Sequence, residues 1–201
     1  MNDTTPTAPL VLADLAQWRE WLIDNETSSD GVWLLMAKKG VTSPTALTYQ
    51  DALEEALCGG WIDGQRRRFD DASFVQRFTP RRARSNWSQR NVEIIERLTA
   101  AGRLRDTGRA QVDAALEDGR WDNAYPRQSQ ATVPEDLDAA LAKAPAAQSV
   151  FDALSRAERF TAMLPILNAR NADTRARTID RLIDRLGAGG AEGTRGSVDE
   201  P

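Results

Sequence analysis

Between Gly59 and Asn91 the chain reads GGWIDGQRRRFDDASFVQRFTPRRARSNWSQRN, and this stretch limits the fold more than any other. A glycine pair stops a preceding helical pattern. Short strands are then read over Trp61 to Gln65, Arg67 to Asp70 and Ser73 to Phe78, with Asp70-Asp71 as a turn and Pro80 as a stop. Val32 to Ala37, an unbroken apolar run after Gly31, reads as a further buried strand. Most of the remaining pattern is helical. The expected fold class is therefore α+β: a small antiparallel sheet from residues 32 to 79 packed by helices, followed by a helical C-terminal portion.

The helices announce themselves by caps and apolar spacing. Asp14 caps one that carries Leu15, Trp18 and Leu22, and Thr48 caps another with Tyr49, Leu53, Ala56 and Leu57 on one face. Ser88 is placed to cap a helix through Ala101, with Val92, Ile95 and Leu98 inward and Gly102 ending it. A further helix is read near Gly108 to Asp118. After Tyr125 the composition changes, and residues 127 to 132 form a polar linker. Pro134 marks a helix start, and Ser155-Arg156-Ala157-Glu158 is a capping box. Pro165 is expected to kink or break the helix that follows. Asp173 is read as the cap of the last helix, with Ile179, Leu182, Ile183 and Leu186 as its stripe. The expected organisation is a tail over residues 1–9, an α+β domain over 10–127, a helical subdomain over 133–186 and a disordered tail over 187–201.

Composition removes several chemistries. The chain has no histidine and one cysteine, which excludes Ser-His-Asp and Cys-His catalysis and internal disulfides and weighs against any transition-metal site. No cofactor is expected. The N-terminus lacks the basic start and apolar run of a signal peptide, and no stretch approaches a membrane span, so the expected location is cytoplasmic. Net charge is −4 overall. Residues 66 to 90, however, hold eight arginines and two acids, a balance of +6 that leaves −10 on the rest. An acidic remainder argues against bulk nucleic-acid binding, which needs a broad positive field. Arginines beside aromatic rings instead suit a planar or phosphorylated anion.

Four motifs occur in order: Ala56-Leu57-Cys58-x-Gly60-Trp61-Ile62-Asp63-Gly64, Phe78-Thr79-Pro80-Arg81-Arg82, Ser85-x-Trp87-Ser88-x-x-Asn91 and Asp118-Gly119-Arg120-Trp121-Asp122. They resemble the YdeI/OmpD-associated family, whose members are often labelled bacteriocin-protection proteins. The resemblance covers roughly residues 12 to 188, and Asp173-Thr174-Arg175-x-Arg177 looks like the family's small helical domain. Gly59 departs from the family, which commonly has phenylalanine there, and so does Pro165, near a usual tryptophan. The resemblance implies a role in stress or antimicrobial-peptide tolerance and an outer-membrane association, but no reaction.

The candidate site follows from the same stretch. Arg81, Arg82 and Arg84 precede the Ser88 cap, where free N–H groups and the positive helix end would favour an anion, with Ser85 and Asn86 as added donors. The opposing reading, evenly balanced, is a solvated basic loop. Asp63 is read as a general base or as the orienter of an arginine, against a favoured structural Asp–Arg pair. Trp61 and Trp87 are read as stacking platforms, against a favoured role as packing anchors. Cys58 reads as a small buried apolar residue. Three functions remain open: a binding protein for a small anion (phosphate- or nucleotide-like), a protein-interaction module, and, weakest, an enzyme on an anionic substrate with Asp63 as base.

Overall fold

The computed structural model describes residues 8–193, so the expected tail residues 1–7 and 194–201 lie outside the described residues. The chain divides between Ala124 and Tyr125 into two compact units. The first contains α1 (Leu15–Asn25), β1 (Val32–Ala37), α2 (Tyr49–Cys58), β2 (Trp61–Arg68), β3 (Ser73–Pro80), α3 (Gln89–Ala100) and α4 (Asp106–Glu117). The second contains α5 (Glu135–Ala142), α6 (Pro145–Ala153), α7 (Arg156–Leu167) and α8 (Ala172–Gly193). The class is α+β, with one three-stranded antiparallel sheet in the order β1-β3-β2. Among the described residues no helix is long and apolar enough to cross a membrane.

The caps form as the sequence requires. Asp14, Thr48 and Ser88 accept the backbone N–H groups of Gln17, Asp51 and Asn91. Ser155 and Glu158 form the full capping box. Each such cap is worth about 1 kcal/mol. The last helix is different: Asn171 Oδ1 accepts Thr174 N at 2.8 Å, so Asn171 is the cap and Asp173 sits in the first turn. An acid there still favours the positive helix end, which is why the pattern misplaced the cap by two residues. Pro165 neither breaks nor ends α7, which runs on to Leu167. It falls in the last turn, where little helix remains beyond the missing N–H. The helical rod of α8 continues past Gly187 to Gly193, because adding a residue to an existing helix costs far less than nucleating one.

In the first unit α2 is the central helix. Ala52 and Ala56 face a core with Trp18, Leu22, Leu34, Met36, Trp61, Phe74 and Phe78. Leu53, Leu57 and Cys58 face a second core with Trp87, Ile94, Ile95, Leu98 and Ala115. Burying an aromatic or aliphatic side chain of this size stabilises by about 1.5–3 kcal/mol, so both helix faces are held. Trp18 Nε1 donates to the Ala52 carbonyl at 3.0 Å and ties α1 to α2. The single stripe read for α2 thus splits between the two cores, Ala56 facing one and Leu53 and Leu57 the other, and it omits Ala52 and Cys58.

The two strands expected at 61–65 and 67–70 are one strand with a bulge. Asp63 pairs with Phe78 and Arg66 with Gln76, leaving one extra residue on β2. Gln76 is buried, and its Nε2 donates to the carbonyls of Gly64 at 3.0 Å and Gln65 at 3.2 Å. An internal amide therefore satisfies the two bulged residues. The bulge interrupts the period of two, and the sequence pattern splits there.

The second unit has its own core, built by Leu137, Leu141, Phe151, Met163, Ile166, Ile179, Leu182 and Leu186. Arg175 joins Asp136 in a two-bonded pair (2.9 Å from Nη2 to Oδ1) and donates to the Ile166 carbonyl at 2.8 Å, linking α5, α7 and α8.

Candidate functional site: the arginine loop

The loop from Pro80 to Ser88 connects β3 to α3. Arg81 N donates to the Gly60 carbonyl at 3.0 Å, which anchors its start to the end of α2. A turn follows in which Ser85 N donates to the Arg82 carbonyl (2.9 Å) and Arg82 N donates to Ser85 Oγ (3.2 Å). Ser88 ends the loop as the cap of α3.

Two arginines hold this loop from inside. Arg81, only 6% exposed, lies 3.7 Å from the centre of the Trp87 ring and donates from Nη2 to the Asn86 carbonyl at 2.8 Å. Arg120, also 6% exposed, donates from Nη1 to the Ser85 carbonyl at 2.9 Å, while its Nε bonds the Asp118 carboxylate at 2.7 Å. Trp121 meets Trp87 edge-on with centroids 4.9 Å apart. A cation over a desolvated indole is worth about 2 kcal/mol or more, and a hydrogen bond from a charged donor about 1.5–3 kcal/mol. The loop is therefore fixed by side chains rather than by a regular ladder.

The nine expected site residues divide accordingly. Arg82, Arg84 and Asn86 are exposed, and Ser85 is half-buried with its hydroxyl engaged by Arg82 N. The Ser88 side chain is occupied by the cap. Trp61 is fully buried, donates from Nε1 to the Glu26 carbonyl at 3.1 Å and meets Trp21 edge-on, so it cannot be a stacking platform. Trp87 is 1% exposed and covered by Arg81, which excludes it on the same ground. Asp63 accepts the Tyr49 hydroxyl at 2.6 Å, so its partner is a phenol and neither the expected loop arginine nor a turn ion pair. Burial, reinforced by that carboxylate, pushes the Tyr49 phenol up to about 12. The helical stripe at Tyr49 brings its ring over β2, where sequence distance gave no hint of the pair.

The remaining arginines of the run disperse. Arg66 lies over Phe74 and Arg67 over Trp33, Arg68 pairs with Asp71, and Arg90 donates to Gln50. Two features escaped sequence reasoning. Arg120 stands in the Asp118–Asp122 motif, and the carboxylate two residues before it was the available sign of a fixed guanidinium. Glu55, 1% exposed, is bound by Arg19 (2.9 Å), Arg103 (3.1 Å) and Arg105 (2.5 Å). Burial alone would raise the Glu55 carboxyl, but the hydrogen bonds from Arg19 and Arg105 outweigh it and hold it below the ordinary range. Arg105 also bonds Glu26 at 2.8 Å, and a Cβ on Gly59 would lie 2.2 Å from Glu26 Oε2 and 2.4 Å from Arg105 Nη2. The ion pair accounts for glycine at that position. Cys58, beside it, is fully buried, and burial raises its thiol.

Residues 10–111 match the family model described as Domain of unknown function (DUF8412), which takes in the Gly59–Asn91 stretch and the whole loop. Residues 130–189 match the model described as Bacteriocin-protection, YdeI or OmpD-Associated, which takes in α5, α6, α7 and all but the last turn of α8. No curated protein and no solved structure matches the chain. With residues 10–111 making up just over half of its 201 residues, the chain belongs to the DUF8412 family, and its residues 130–189 are similar to the YdeI or OmpD-associated, bacteriocin-protection family.

Proposed function

We propose that this chain is a cytoplasmic binding protein in bacteriocin or stress protection, and that its arginine loop takes a small phosphate-like anion. The observation that carries the proposal is the division of labour in the loop. Arg81 and Arg120 hold the carbonyls of Asn86 and Ser85 from within, while Arg82 and Arg84 are exposed residues of the same short segment. Guanidinium groups displayed on a fixed backbone lose less freedom on binding than those on a mobile one. They also sit before the N-terminus of α3, whose positive end favours an anion.

The test is thermal. Pyrophosphate at about 100 times its dissociation constant should stabilise the protein by about 2.7 kcal/mol, a rise of roughly 5–11 °C in Tm. In the R82A/R84A double variant that rise should vanish; an equal rise in the variant overturns the proposal. A second reading, a protein-interaction module, rests on the match at residues 130–189. The same double variant separates the two, because cells in which it still protects against a bacteriocin do not need the loop.

A further inference from the structure

The helical unit contains a cavity of about 350 Å3 between the segment that precedes α5 and the start of α7. Its apolar wall is Val133, Leu154, Phe160 and Met163, and its charged wall is Arg156 and Arg159, with no carboxylate among the lining residues. Cavities of roughly 300–1,000 Å3 with an apolar lining and a few convergent polar groups are typical of small-molecule sites.

Both guanidinium groups are held by neutral partners. Arg159 donates from Nε to the Leu154 carbonyl at 3.1 Å and from Nη2 to the Asp152 carbonyl, with the Phe151 ring centre 5.7 Å away. Arg156 donates from Nη2 to the Ser129 carbonyl. Carbonyls orient these side chains without neutralising them. Each keeps its charge and further N–H donors, unlike Arg175, which is spent on Asp136.

We propose that this cavity binds a small amphipathic carboxylate, its apolar body against Met163 and Phe160 and its carboxylate on Arg156 and Arg159. A carboxylate matches the planar guanidinium fork with two oxygens. As a monoanion it also sheds less hydration beside an apolar wall than a phosphate dianion does. The site is separate in sequence from the arginine loop and stands whether or not that loop binds an anion.

Calorimetric titration of the full chain with octanoate tests it. Saturable binding is expected, with acetate and octan-1-ol each at least about ten-fold weaker, since each supplies half of the required chemistry. The R156Q/R159Q variant should lose about ten-fold or more for octanoate and leave octanol unchanged. Arg159 also holds two backbone carbonyls, so a second variant, Val133→Trp, fills the cavity while keeping both arginines. It should abolish octanoate binding with an unaltered circular-dichroism spectrum. Equal binding of octanol and octanoate, survival of octanoate binding in Val133→Trp, or absence of saturable binding overturns the proposal.

Discussion

Glu55 is the residue on which three guanidinium groups of the first unit converge. Its carboxylate joins Arg19 from α1, Arg103 from the α3–α4 connection and Arg105 at the start of α4. Replacing it with glutamine keeps the volume and removes the charge. We expect Glu55→Gln to destabilise by about 3 kcal/mol in urea unfolding, the lower end for a broken buried pair because Arg19 and Arg103 reach solvent. The pH dependence has a definite sign. A carboxyl depressed in the folded state stabilises above its unfolded value of about 4.3, and that contribution is lost as pH falls through the lower folded value. Acid unfolding should therefore be steeper in the parent chain than in Glu55→Gln; parallel profiles would assign the acid sensitivity to other carboxylates.

At the scale of elements, α4 presents an inverted expectation. Gly108 lies inside this helix, where alanine ordinarily gains up to about 1 kcal/mol. A Cβ there would meet the Cys58 carbonyl oxygen at 2.3 Å, and that oxygen already accepts Arg105 N at 3.0 Å. Gly108→Ala should instead lower stability by about 1–3 kcal/mol in chemical denaturation, and a gain would show that α4 sits further from α2. Contacts of this kind also mark what the sequence could display. Caps are local, so Asp14, Thr48, Ser88 and the Ser155 box were readable from a few residues each. The β2 bulge was not, because the amide that supports it comes from Gln76 on the neighbouring strand. The loop's position was legible in its arginines. Its inner clamp was not, since Arg120 reaches Ser85 across 35 residues of sequence.

At the scale of the molecule, the chain folds as two units, the first built on two apolar cores and the second on one. The only cysteine, Cys58, belongs wholly to the first, sealed at 0% exposure between α2 and its neighbours. A thiol in that position cannot meet a soluble reagent until the core around it opens, and burial further suppresses the reactive thiolate. The protein thus carries a single-turnover clock. Under native conditions the rate of reaction with an aromatic disulfide reagent should report the opening equilibrium of the α2–α3–α4 core alone. Gly108→Ala should accelerate it, and Val133→Trp in the other unit should leave it unchanged. Reaction at the speed of an exposed thiol would mean that this core breathes far more freely than its packing implies. No label, tag or engineered cysteine is needed to read one half of the chain independently of the other.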